Sequence, residues 1–395
     1  MNPMKTRKTQ LLALAVLTLA AVAVPAAAQP KKLDKLVKRE MRKAGIPGLA
    51  AVIVVDGRTA WSGGYGWANI EEEVPVTPDT VFKIGSVAKT VTATAVMQLV
   101  DDGLIGLDAD INDYLPFALR NPHHPEIPIT ARQLLTHTSS VSDRLADELE
   151  ELLISDGDYP LSLEEFLPLY LLEDSDYFDP DASFHPWAPG EAFDYSNIGF
   201  ALLGYLVERV SGTTFETFTQ ERLFRPLEML ESSWFLANLD RSHLAVPYLL
   251  KARARYQTFP FTSYAPYPSG MLQTSARQFG NFIAMHLESG RFEGTRILRR
   301  SSAREMWRVQ SPEIAPTQGL AFLVEPFDGG HVVAHSGAWW GFSSDLFIFP
   351  ERGFGIAIFT NSDLYPPTKL RRLKAMGRIQ AALFDLAQSL AATED

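Results

Sequence analysis

The chain has no cysteine among its 395 residues. That excludes disulfides, thiol nucleophiles, thiolate metal centres and a lipid-modified cysteine. Positive charge is also scarce, with 36 Lys and Arg against 47 Asp and Glu and a net charge of −11. A nucleic-acid partner needs a basic footprint, so that class is excluded too. After the first 28 residues no apolar run is long enough to cross a bilayer. There is no fixed-period repeat and no low-complexity tract after that point.

Those first 28 residues have a pattern of their own. Lys5, Arg7 and Lys8 are basic, an apolar run follows from Leu11 to Val24, and Ala26-Ala27-Ala28 precedes Gln29. This is the layout of a secretory signal peptide cut after residue 28, and the run is too short for a comfortable membrane span. The expected location is periplasmic or secreted. Residues 29–395 are then one unit with enough chain for a large core.

Acid is concentrated between Asp143 and Asp181, where 14 carboxylates face one base, Arg144. The expected role is a solvated helical face or an insertion. A cation site around Asp174, Asp176, Asp179 and Asp181 is disfavoured, because the spacing lacks the glycine and terminal glutamate of a calcium loop.

Apolar spacing predicts a helix over Leu33–Ala44, ending at Gly45. Strands are expected at Leu49–Val55 and Thr59–Trp67, joined by an Asp56-Gly57 turn. Four more are expected late, at Leu320–Val324, His331–His335, Phe342–Phe349 and Phe354–Thr360, before a last helix at about 369–390. Between these groups, helices are expected at Val91–Val100, Ala131–Leu135, Leu145–Ile154, Ser162–Leu172, Ile198–Val210 and Ala276–Leu287. The fold class is α+β: an antiparallel sheet flanked by the N- and C-terminal helices, with a mainly helical subdomain inserted. The sheet part takes about 29–85 and 265–395, and the helical part about 86–264. A cleft between them is the expected place for a site.

Three short patterns occur once each and in order. Ser86-Val87-Ala88-Lys89 stands at the start of an apolar helix, so Ser86 and Lys89 share a face and lie beside free backbone N–H groups. A lysine whose amine is kept neutral by burial can activate a serine hydroxyl. Otherwise the pair is a helix cap and a surface amine. Tyr195-Ser196-Asn197 lies in a turn that leads into a helix. The Tyr195 phenol can pass protons, and the Asn197 amide can hold an acyl group, anchor Lys89 or cap the helix from Ile198. His335-Ser336-Gly337 ends a strand. Gly337 lets a backbone come close, the Ala338 N–H can join that of Ser86 as an oxyanion donor, and His335 either tunes the site or simply ends the strand. Trp339 and Trp340 follow, as an apolar wall for an acyl or aryl group or as core packing.

The text around these motifs resembles the class C-like branch of the serine β-lactamase / penicillin-binding-protein superfamily. The matching stretches are Phe82–Lys89, Leu134–Ser139, Pro189–Asn197 with the helix to Gly212, Pro268–Met271, His335–Phe342 and Phe359–Asn361. That branch holds class C β-lactamases, D-alanyl-D-alanine carboxypeptidases, D-aminopeptidases and related esterases. The resemblance implies an acyl-enzyme on Ser86, with Lys89 and Tyr195 as a coupled base and Asn197 on the substrate amide or carbonyl. The N–H groups of Ser86 and Ala338 form the oxyanion hole, and water finishes the reaction without metal or organic cofactor.

Two residues depart from the branch. His335 stands where class C β-lactamases usually carry lysine, which moves the expectation from β-lactams toward peptides and esters. Ser140 stands where glycine is usual, which puts the local turn in question. The expected activity is a serine hydrolase of peptidase or esterase type, acting on a small ester, amide or peptide. With the leader, the resemblance makes peptidoglycan fragments natural candidates. A true β-lactamase and a catalytically silent penicillin-binding-like protein are the alternatives.

Overall fold

The computed structural model describes residues 29–146, 152–173, 175, 177–250, 256–363 and 370–392. The expected signal peptide lies outside them, as do Asp174 and Asp176 of the acidic run. Seven strands form one sheet: β1 (Gly48–Val55), β2 (Arg58–Asn69), β3 (Val74–Pro75), β4 (Leu323–Phe327), β5 (Gly330–Trp339), β6 (Phe342–Phe349) and β7 (Phe354–Thr360). Their spatial order is β4-β5-β6-β7-β1-β2-β3, so strands from the two chain ends meet where β1 pairs antiparallel with β7.

Every residue of β1 is buried, which explains its unbroken apolar text. Its odd-numbered residues, Leu49 to Val55, face a layer formed by helix α1 (Gln29–Ala44) and the C-terminal helix, through Val37, Met41, Ile379 and Leu383. Ala50, Val52 and Val54 face the main core with Phe279 and Ile283. Glu40 of α1 is buried and ties the two terminal helices together, since Arg378 Nη2 lies 2.7 Å from it. Antiparallel sheet and flanking helices are thus as expected.

Helix α2 (Ala88–Asp101) and helix α3 (Asn197–Ser211) pack together beside the sheet, and helix α4 (Ala276–Leu287) lies on it. The C-terminal helix is α5 (Leu370–Ala391). Outside the sheet, the strand Val81–Lys83 pairs with Gln273–Ser275 just before the chain reaches Ser86.

Two expectations fail. Leu145–Ile154 is not one helix: Leu153–Ser155 is a strand paired with Thr262–Tyr264, and 147–151 lie outside the described residues. A short apolar run takes its conformation from its partner, here more than a hundred residues away. The first late strand starts at Leu323 rather than Leu320, because Ala321 has φ +65° and breaks the extended chain.

Candidate active site

The strand Val81–Lys83 feeds a single tight turn, Gly85–Val87, that runs straight into α2. Ser86 is the middle residue of this turn. Gly85 has φ +51°, and a methyl group there would come within 2.7 Å of Ala338 N. Glycine therefore lets the serine turn lie directly against the end of β5.

Lys89 is fully buried one turn further on. Its Nζ lies 3.3 Å from Ser86 Oγ and donates to Asn197 Oδ1 at 2.6 Å and to the Ser269 carbonyl at 2.7 Å. A neutral amine has two hydrogens and one lone pair. With the hydrogens committed to the amide and the carbonyl, the lone pair is left for the serine hydroxyl. Burial pushes the Lys89 amine down to about 7, against the pull of the Asp143 charge. An amine so placed can take the proton of Ser86 near neutral pH.

Tyr195 closes the cluster. Lys89 Nζ lies 4.6 Å from the centroid of its ring. Burial pushes the phenol up, and the nearby Ser86 hydroxyl opposes that shift. The contact falls short of hydrogen-bond geometry, so Tyr195 Oη is buried without a partner. His137 stacks on the Tyr195 ring at 4.3 Å between centroids. Its Nδ1 accepts from the Ser196 N–H at 3.1 Å, which puts the proton of the neutral ring on Nε2. Burial, with Lys89 and His335 nearby, holds His137 well below the usual histidine value.

Asp143 is, with His137 and Ser269, a residue that the sequence did not single out for the site. It belongs to the acidic run, yet it is turned inward onto the start of α3. Its carboxylate accepts from Ser196 Oγ (3.0 Å), Asn197 N (2.6 Å), Asn197 Nδ2 (2.8 Å) and Ile198 N (2.9 Å). Fixing Nδ2 on Asp143 turns Oδ1 of the same amide toward Lys89. Burial pushes the Asp143 carboxyl up, while these donors and Lys89 oppose it. The helix cap itself is Ser196, whose Oγ accepts from Gly199 N, so Asn197 is free for the amine. One signal was available. Asp143 follows the uncharged stretch 134–142 and stands apart from the dense acid that begins at Asp147. Elsewhere in the run, Asp179 caps the short helix Pro180–Ser183, and Asp181 pairs with His123 at 3.4 Å. Among the described residues no cluster could hold a metal ion.

The turn at Ser140 keeps the shape a glycine would allow. Ser140 has φ +63°, an uncommon state for a residue with a side chain. Asn121 Nδ2 donates to its hydroxyl at 2.9 Å and also to the carbonyls of His185 and Trp187, which holds the strained turn in place.

Strand β5 forms the opposite wall. A two-residue loop joins Trp339 to Phe342 of β6, so these two form the hydrogen-bonded pair that closes the hairpin. Alternation then turns the peptide groups of Ser336 and Ala338 away from β6. Strand β4 pairs no further than Ala334, so that edge of β5 is open beside Ser86. Gly337 makes the approach possible: a methyl there would sit 2.1 Å from the Ile84 carbonyl and 3.0 Å from Ser86 N. Trp339 and Trp340 are half-buried and form a ledge with Tyr264 and Phe259 (centroids 5.4 and 5.2 Å away). Trp339 Nε1 donates to Thr262 Oγ1 at 2.7 Å. The structure thus brings all seven candidate site residues together around Lys89 and the serine turn, and Asp143, His137 and Ser269 join them.

Over residues 33–380 the sequence matches the family described as Beta-lactamase. The chain belongs to that family. It is 29% identical over 330 residues to Penicillin-binding protein 4 of Amycolatopsis lactamdurans, covering 80% of this chain and 81% of that protein. To Protein flp of Staphylococcus aureus (strain N315) it is 25% identical over 333 residues, or 84% of this chain. The chain spans only 63% of the length of that relative. The solved structure of EstCE1, a hydrolase with promiscuous acyltransferase activity, shares the fold, with a TM-score of 0.73 at 19% identity over 92% of this chain and 100% of that one.

Proposed function

We propose that the protein is a secreted or periplasmic serine hydrolase that cleaves an ester or amide bond through an acyl-enzyme on Ser86. The observation that carries the reading is the buried Lys89 amine, shared between Ser86, Asn197 and the Ser269 carbonyl. Ser86 Oγ attacks the substrate carbonyl carbon, and its proton passes to Lys89. The negative oxygen is received by the N–H groups of Ser86 and Ala338. The bond to the leaving group breaks, and that alcohol or amine takes the proton back through Lys89 and Tyr195. Water then attacks the ester by the same proton path, which frees the acid and restores Ser86. Asn197 holds both the amine and the substrate amide or carbonyl. Gly337 gives the substrate room beside the strand, and no metal or organic cofactor takes part.

The ledge of Trp339 and Trp340 beside the Ala338 N–H supports an apolar acyl or aryl group. Peptidoglycan-derived peptides are candidate natural substrates. A fluorophosphonate probe will label the wild type on Ser86 and leave Ser86→Ala unlabelled; equal labelling of both ends the proposal. A panel of p-nitrophenyl esters, D-alanyl peptides and a chromogenic cephalosporin, run on both proteins, then ranks the substrates. Fast turnover of the cephalosporin alone would make the protein a β-lactamase. No labelling and no turnover would leave a binding protein on this fold.

A further inference from the structure

The net charge of −11 hides a basic face. Seven of the 16 residues of α1 are Lys or Arg, against Asp34 and Glu40. Helix α5 adds Arg371, Arg372, Lys374 and Arg378 against Asp385 alone. The acids of α1 are committed. Asp34 accepts from the Tyr65 hydroxyl at 2.8 Å, and buried Glu40 is shared by Arg39, Lys43 and Arg378. Lys31, Lys32, Lys35, Lys38 and Arg42 are exposed on α1, as are Arg371 and Lys374 on α5. None of these seven pairs with a carboxylate among the described residues. Lys31, Lys35, Lys38 and Arg42 follow one another at steps of three or four, and so do Arg371 and Lys374. Like charges at that spacing repel on a helix, and an anion laid over them relieves it.

The two helices cover one face of the sheet, packed on the odd-numbered residues of β1. The serine turn lies against the other face. Ser336 points toward α5, since it donates to Asp345, which Gln380 of α5 also holds. Gly337, the next residue of β5, points the opposite way, to Ile84 and Ser86. The basic face is therefore turned away from the cleft. At its rim Leu370, the first residue of α5, is 63% exposed.

We propose that the outer face of α1 and α5 docks on an anionic phospholipid bilayer and holds the cleft pointing away from the membrane. A small anion needs cations converging on a pocket. Here they are strung along about 24 Å of helix, which suits a flat, extended partner. Headgroup phosphates attract Lys and Arg over about a Debye length, so a local face acts although the whole chain is acidic. The long side-chain stems and Leu370 give the headgroup boundary apolar surface to meet. Chain order favours the same partner. Four residues separate Val24, the end of the apolar leader run, from Gln29, so export of the chain brings α1 to the bilayer first. The inference goes beyond the chemistry at Ser86 and does not depend on it.

The test is sedimentation of the exported protein with vesicles of phosphatidylcholine alone, or of equal parts phosphatidylcholine and phosphatidylglycerol. The protein will bind the second and not the first, and added salt will release it. The triple variant Lys35→Gln, Lys38→Gln, Lys374→Gln keeps good helix formers and leaves Glu40 its partners, so circular dichroism will be unchanged. Its affinity for the anionic vesicles will fall about tenfold or more. The matched control is Arg299→Gln, Arg300→Gln, Arg304→Gln, three exposed arginines outside the face, and it will bind as the wild type does. Equal binding to both kinds of vesicle, no binding to the anionic ones at low salt, or an equal loss in the control overturns the proposal. Binding to immobilised polyphosphate with no affinity for vesicles makes the partner a soluble polyanion and also overturns it. Fluorophosphonate labelling of Ser86 will run at the same rate on vesicles as in solution. Labelling lost only on vesicles overturns the orientation, whereas labelling absent in both conditions counts against the acyl-transfer reading and leaves the docking result standing.

Discussion

Replacing Asp143 with asparagine tests whether the charge beneath Asn197 governs the Lys89 amine. Each carboxylate oxygen of Asp143 accepts from two donors: Oδ2 from Asn197 N and Nδ2, and Oδ1 from Ser196 Oγ and Ile198 N. An amide in its place converts one oxygen to a donor, and either choice strands a backbone N–H. The unmade hydrogen bond costs about 1–3 kcal/mol, which lowers the thermal midpoint of a unit this size by roughly 1–4 °C. The effect on the amine is separate. The Asp143 charge favours the ammonium form of Lys89, so its loss moves the amine further below about 7.

The sign of the pH profile follows. Lys89 accepts a proton only when neutral, so kcat/KM of the wild type falls as pH drops through about 7. In Asp143→Asn that acid limb moves to lower pH. The plateau also falls, by about 10–100-fold, because the freed Asn197 amide no longer holds Oδ1 on the amine. The assay is kcat/KM against pH on a p-nitrophenyl ester, beside thermal unfolding. Asp179→Asn is the control from the same acidic run: it replaces one good helix cap by another and will stay within about twofold of wild type. An unmoved acid limb and a near-normal plateau in Asp143→Asn would reduce Asp143 to a helix cap and refute the reasoning.

Tyr195→Phe removes a buried hydroxyl that has no partner. Stability will stay within about 1 kcal/mol of wild type while kcat/KM drops by about 100-fold or more. A large loss of stability would make the phenol structural. Gly337→Ala places a methyl 2.1 Å from the Ile84 carbonyl and forces β5 away from the serine turn. Fluorophosphonate labelling of Ser86 will slow at least tenfold, by about 1.4 kcal/mol or more in the barrier, with unchanged circular dichroism. Normal labelling would show that the strand edge takes no part.

What could be read from the sequence was what local rules control. Ser86 and Lys89 are three apart where a tight turn runs into α2, and that spacing puts them on one face. The apolar text of β1 and the loop-to-helix position of Tyr195 were legible for the same reason. Asp143 was not, because charge composition was read over a whole stretch and its role depends on a helix start more than fifty residues later. Leu153–Ser155 was misread for a similar cause: its partner, Thr262–Tyr264, is remote. Ser140 shows a third kind of limit. The departure from glycine was visible, but the donor that compensates for it, Asn121, is brought in by the fold.

The charges in the cleft explain why so many neutral groups surround one amine. The His137 and His335 rings are held neutral and the Tyr195 phenol protonated, each chiefly by burial. That leaves Lys89 and Asp143 as the acid–base pair beside Ser86; Lys83, also pushed down to about 7 by burial, gives its amine to the Thr262 carbonyl. Before attack, a neutral amine beside the Asp143 carboxylate gives the cluster one negative charge. In the proposed reaction the Ser86 proton moves to Lys89, the amine becomes the counter-ion of that carboxylate, and the new negative charge is carried by the substrate oxygen on the backbone N–H groups. The reaction therefore relocates a charge between two prepared places instead of creating one in a buried site, where an unpaired ion is most costly. A permanent cation at position 335 would offer the proton-loaded amine a like-charged neighbour and push it back toward neutrality. A neutral ring there leaves Lys89 free to take up a proton beside Ser86.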